Sequence, residues 1–174
     1  LVPFRAAIRA SVGAIMTFHG SMPALDSSGA PGTLSRPVVT GLLRGQLGFA
    51  GLVVSDAMDM RGVLDQYGPT ESVKRAVAAG VDVLIQPLDV QATIDAIVAG
   101  VAEGRYPEDR ITEAARRILA LKHRLSLDRQ RLVDLDRIRT VVGDSANTAL
   151  ARTIADRSIT VVRDSLGLLP LNAA

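Results

Sequence analysis

Cysteine and tryptophan are absent from the 174 residues. Without cysteine there are no disulfides and no thiolate metal sites, and the redox compartment stays undecided. Aromatic residues make up only 3% of the chain, so a core must be built from Ala, Val, Leu and Ile. An excess of one charge is missing too: 20 basic residues face 18 acidic ones, for a net charge of +2. The arginines alternate with Asp and Glu, form no stripe and have few aromatics beside them, so nucleic acid is not an expected partner. No apolar run reaches the roughly 20 residues that crossing a bilayer requires. A signal peptide is also lacking, because Leu1 already reads as part of a helix. With no initiator Met, this abrupt start leads us to expect a portion of a longer protein. Its compartment is left open between the bacterial cytoplasm and an extracytoplasmic lipoprotein.

What is present is an apolar pattern. Hydrophobic residues reach 48% and mean hydropathy is +0.25, which fits a folded chain rather than a disordered one. Phe4, Ile8 and Val12 share a helical face that Gly13 can cap. Ala14 to Phe18 reads as a short strand, and His19 to Leu34 as a long loop. Ser35 is placed to cap a helix with Pro37 in its first turn and Val39, Leu42, Leu43 and Leu47 as its stripe, ended by Gly48. Leu52 to Ser55 is apolar on both faces, as a covered parallel strand should be. A helix from about Glu71 to Ala79, closed by Gly80, leads to a strand over Val81 to Ile85. Ile94, Ile97, Val98 and Val101 mark the next helix, and Pro107 opens another. Beyond it, 128–144 reads as a linker, followed by a helix around Leu150 and Ile154 and a strand over Ile159 to Val162.

Strands that alternate with helices every thirty to forty residues indicate an α/β fold with a parallel sheet. Two architectures fit: an open doubly wound sheet, or the C-terminal portion of a (β/α)8 barrel. In both, the functional site lies at the carboxyl ends of the strands. His19, Asp56 and Gln86 occupy those ends. Asp56 terminates an otherwise apolar strand, so its carboxylate is either aimed into the mouth or caps the next turn. Asp59, three residues on, reads as a loop residue. No Gly-rich loop follows a strand, which argues against a phosphate cradle there. Asp82, Asp89 and Asp95 are too scattered for a metal site, and the two histidines too far apart. His123 and the Arg116–Arg117 pair read as solvated helix surface, and the stretch Gly100 to Gly104 as a helix end.

The segment LLRGQLGFAGLVVSDAMDMRGV (Leu42 to Val63) resembles the nucleophile segment of family 3 glycoside hydrolases. IMTFHGSMPALD (Ile15 to Asp26), PGTLSRPVV (Pro31 to Val39) and AVAAGVDVLIQP (Ala76 to Pro87) are similar to the segments on either side. ARTIADRSITVVRDSLGLLPL (Ala151 to Leu171) looks like the bridge that leaves the family's barrel, in many members toward a second domain. Ala57-Met58-Asp59-Met60 in place of a following Trp is more similar to the β-N-acetylglucosaminidase branch. The resemblance implies a partial barrel over 1–127, comprising the last three βα units and the following helix, and an exit linker over 128–174. It implies hydrolysis of terminal β-N-acetylglucosaminides by double displacement, with Asp56 as nucleophile and no cofactor. A β-glucosidase or β-xylosidase of the same family and a non-catalytic sugar-binding fragment are the alternatives. Ser55 would contact substrate and, with backbone amides, keep Asp56 ionised, unless Ser55 packs on the opposite strand face. His19 would be either pocket lining or a structural histidine. Met60 and Met58 would line the pocket or pack. The general acid of this branch belongs to a Lys-His-Phe-Pro-Gly-His-Gly-type loop that these residues do not contain, so the chain alone is expected to be inactive. A half barrel would also leave two sheet edges and one face open, so self-association is expected.

Overall fold

A computed structural model describes residues 1–170. Its contacts divide into a compact unit, Leu1–Arg129, and a second that begins at Gln130. The first unit opens with α1 (Val2–Arg9) and β1 (Ala14–Met16), and a long loop leads to a ten-residue π-helix, Pro37–Gln46. β2 (Leu52–Ala57), α2 (Arg61–Ala79), β3 (Val83–Ile85), α3 (Val90–Ala102) and α4 (Glu108–Arg124) follow. The three strands form one sheet in the order β1-β2-β3, and both pairings are parallel. This is the expected α/β alternation.

The helices cover one face of the sheet. Val53 on β2 is fully buried, with Val39 and Leu43 of the π-helix, Val63, Val73 and Ala76 of α2, and Ala96 of α3 in the same core. Every member of that core except Phe49 is aliphatic or Met, as the scarcity of aromatics requires. The other face carries Ala14, Met16 and Val54 and is left partly or largely open. Parallel sheets are ordinarily covered on both faces.

Several expected details are corrected. The helix after Ser35 is wound wider than an α-helix, and its last bond runs five residues back, from Leu47 N–H to Leu42 O at 2.9 Å. Two poor α-helix formers, Gly41 and Gly45, lie inside it. Ser35 still supports its start, with Oγ accepting the Val38 N–H at 3.3 Å. The residue that reverses the chain after α1 is Ser11, at φ 60°, rather than Gly13. The helix expected from about Glu71 is present, and a further helical segment precedes it within α2, the two separated at Gly68, whose φ of 67° and ψ of 173° are not helical and which Pro69 follows. α2 does end on Gly80, at φ 115°, where a Cβ would lie 2.8 Å from Thr40 Oγ1. As expected, α3 ends within the stretch Gly100 to Gly104, at Ala102, and Tyr106 packs on the space that a side chain at Gly100 would fill.

In the second unit, 128–144 is not plain linker, since it holds a 3-10 turn (Leu135–Arg137) and the short helix α5 (Ile138–Val141). α6 (Ser145–Ser158) is the expected helix, capped by Asp144, whose Oδ1 accepts the Ala146 N–H at 2.7 Å. The strand expected over Ile159 to Val162 does not form. Among the described residues the sheet has only three strands, none of them pairing with this segment, and an unpaired strand has nowhere to place its backbone hydrogen bonds. Leu171, the last residue of the bridge segment, lies beyond the described residues.

Candidate active site

β2 continues two residues further than expected, so Asp56 sits within the strand and not after it. Val54 opposes Val83 and Ala57 opposes Ile85, so three steps along β2 match two along β3. The surplus residue makes a β-bulge at Ser55–Asp56, a device that bends a strand and re-aims a side chain. Ser55 closes the gap in the ladder: its Oγ accepts the Ile85 N–H at 2.9 Å. The Ser55 residue is 0% exposed. The substrate contact expected of Ser55 is therefore corrected, because its hydroxyl holds the sheet together on the helix-covered side.

Alternation along the strand leaves Asp56 on the open face, partly exposed. Its Oδ1 accepts the N–H of Ala57 at 2.9 Å. The next peptide is held from two sides: Met58 N–H donates to Ile85 O at 2.8 Å, and the Ala57 carbonyl receives His19 Nε2 at 2.8 Å. A carbonyl only accepts, so Nε2 carries a proton and donates it there. Nδ1 meets the Thr33 hydroxyl at 2.9 Å, and Thr33 Oγ1 lies 2.8 Å from Thr17 Oγ1. A relay thus runs from Thr17 through Thr33 and His19 to Ala57. It ties the end of β1 to the residue that follows Asp56. With both ring nitrogens engaged, His19 has no polar atom left for a sugar hydroxyl, so the geometry favours the structural alternative. The start of α2 passes close by: a Cβ on Gly62 would lie 3.3 Å from His19 Cβ.

The rim is completed by Asp59 and Gln86. Gln86 Nε2 donates to Asp59 Oδ2 at 3.0 Å across the ends of β2 and β3, and Gln86 has a positive φ of 48°. Met60 opens α2 with 45% of its surface exposed, whereas Met58 is core. Asp26 anchors the loop between β1 and the π-helix. The Ser28 hydroxyl, then the Ser35 hydroxyl and the Ser28 amide, hold its carboxyl below the usual range.

At the opposite, amino end of the strands lies a cluster that residue spacing did not disclose. The Asp82 side chain has 0% exposure and is gripped by three arginines. Arg44 Nη2 donates to Oδ2 at 2.5 Å, while Arg110 Nη2 and Arg117 Nη1 each donate to Oδ1 at 3.0 Å. Val53 N–H adds a bond to Oδ2 at 3.0 Å, and Arg44 also donates to the carbonyls of Phe49 and Gly51. Arg117, expected on a solvated face, is thus part of a buried knot. Asp89 caps α3 and Asp95 bonds to Gln91, so neither joins Asp82. No group of three or more potential metal-ligating side chains occurs among the described residues.

The family profile for the glycosyl hydrolase family 3 N-terminal domain matches residues 1–121. The chain is 35% identical to a β-N-acetylglucosaminidase/β-glucosidase of Cellulomonas fimi, over 98% of its own length and 32% of the relative's. It is 31% identical to β-hexosaminidase A of Pseudoalteromonas piscicida, again over 98% of this chain and 31% of that one. Among solved structures, a family 3 β-N-acetylglucosaminidase from Paenibacillus sp. FPU-7 superposes with a TM-score of 0.77 at 40% identity. That match covers 93% of this chain and 31% of the other. The chain therefore spans about a third of the length of the relatives it matches. Its three parallel βα units are part of a (β/α)8 barrel, and the chain belongs to glycoside hydrolase family 3.

Proposed function

We propose that Asp56 is the nucleophile of a retaining β-N-acetylglucosaminidase. The observation that carries this reading is the Asp56 carboxylate on the open face of β2, at its carboxyl end. The Ala57 amide orients it through Oδ1, and Oδ2 has no protein partner among the hydrogen bonds described. An ionised carboxylate held this way can attack an anomeric carbon, form a glycosyl ester and release it to water. Met60 offers apolar contact at the rim, and the Asp59–Gln86 pair offers polar atoms for sugar hydroxyls. His19 acts through Ala57 by fixing the backbone beside the nucleophile. The leaving oxygen also needs a proton donor. The two histidines of these residues lie outside the motif that serves this branch, so the donor is assigned to sequence beyond them, and the 174 residues alone should be inert.

Asp56→Asn in the complete enzyme should lower turnover of an aryl N-acetyl-β-glucosaminide by on the order of 10³-fold or more, with an unchanged melting curve. Near wild-type rates would remove Asp56 from the mechanism. The Cellulomonas relative's name also includes β-glucosidase, so the aryl glucoside is the second substrate to assay. Faster glucoside turnover would reassign the sugar without touching the nucleophile.

A further inference from the structure

A cleft of about 810 Å³ opens beside the Asp82 knot, between the π-helix, the end of α2 and α4. Arg36, Arg44, Arg105, Arg110, Arg116 and Arg117 all line it, against only two acids, Asp109 and Glu113. Asp82 sits behind Arg44, Arg110 and Arg117, and Glu71 pairs with Arg105. Glu71 is shared with Arg75, so the guanidinium groups outnumber the carboxylates around the cleft and leave a surplus of positive charge. Two of the arginines, Arg36 and Arg116, enter no ion pair among the described residues.

Arg110 shows that the surplus reaches the buried part of the cleft. Its Nη2 is occupied, donating to Val81 O at 2.5 Å and to Asp82 Oδ1 at 3.0 Å. Its Nη1 is buried and has no hydrogen-bond partner. A buried N–H of a charged group left without an acceptor is costly and uncommon. The neighbouring field is felt by Arg44 as well: burial lowers its pKa against the pull of Asp82, and the Arg117 and Arg110 charges lower it further.

We propose that this cleft binds a doubly charged tetrahedral oxyanion of the phosphate class, as the free ion or as the phosphate ester of a small molecule. A phosphate dianion complements the surplus charge, and its oxygens suit the planar guanidinium fork. The volume leaves room for an organic group beside the phosphoryl oxygens. The site stands apart from Asp56 and does not depend on the proposed hydrolysis.

The test is the melting temperature of the complete enzyme titrated with inorganic phosphate, with sodium chloride at equal ionic strength, and with glucose 6-phosphate. The double variant Arg36→Gln/Arg116→Gln spares all three arginines that hold Asp82, so it should fold. Phosphate should raise the melting temperature saturably and beyond the chloride effect. The double variant should shift the midpoint of that titration by about tenfold, the loss of one charge-assisted contact or more. A lower midpoint for glucose 6-phosphate would identify an ester as the occupant, and equal midpoints the free ion. A phosphate effect no larger than that of chloride, or a double variant that titrates like the parent, would overturn the proposal.

Discussion

Asp82 has no exposed side-chain surface and lies within hydrogen-bond reach of three arginines. Burying such a cluster is not a large source of stability, because desolvation offsets most of the attraction, but removing one partner leaves the others uncompensated. Asp82→Asn should therefore cost about 3–5 kcal/mol, read as a lower urea midpoint. The exposed i,i+4 pair Arg61–Asp65 is the contrast, with side chains 90% and 60% accessible. Asp65→Asn should change stability by less than about 0.5 kcal/mol, since such pairs are screened and mobile. Equal losses for the two variants would show that Asp82 is no better coupled than a surface carboxylate. None of this could be read from spacing. Arg44, Arg110 and Arg117 lie 38, 28 and 35 residues from Asp82, and no local period links residues that meet only after the helices have packed.

At the scale of elements, the bulge in β2 decides how the candidate site is presented. Ser55 supplies the acceptor that the displaced ladder withholds from Ile85 N–H. Ser55→Ala would leave that amide without a partner inside the sheet, at a cost of about 1–3 kcal/mol. We expect faster hydrogen exchange at Ile85 in this variant, and unchanged protection would show that the hydroxyl is dispensable. The order of strands and helices was legible, because apolar runs separated by Gly and Pro mark them plainly. So was the place of Asp56 near the carboxyl end of β2. Three features were not. The π-helix shares its apolar stripe with an α-helix, so Val39, Leu42 and Leu43 look alike in either winding. The bulge is a matter of register between two strands, which neither strand's residues announce. The run Ile159 to Val162 has strand composition but lacks a partner, and pairing is a property of the fold rather than of the segment.

For the molecule as a whole, the open face and the two free edges of the sheet dominate. Among the described residues, β1 and β3 each pair on one side only. Met16, at 57% exposure, stands on the uncovered face. Unpaired parallel edges and apolar surface invite association. The 174-residue chain should sediment as a species heavier than its 18.3 kDa monomer, or melt over a broad range. A sharp, concentration-independent transition from a monomer would contradict this.

The three strands also divide their duties lengthwise. The amino ends of β2 and β3 are tied down by a carboxylate that three arginines share, while the carboxyl end of β2 exposes a carboxylate with one oxygen to spare. Because the anchor and the proposed nucleophile are separated by the length of a strand, one rim can be rewritten without loosening the other. Diversity of substrate at a constant scaffold is then what this layout permits.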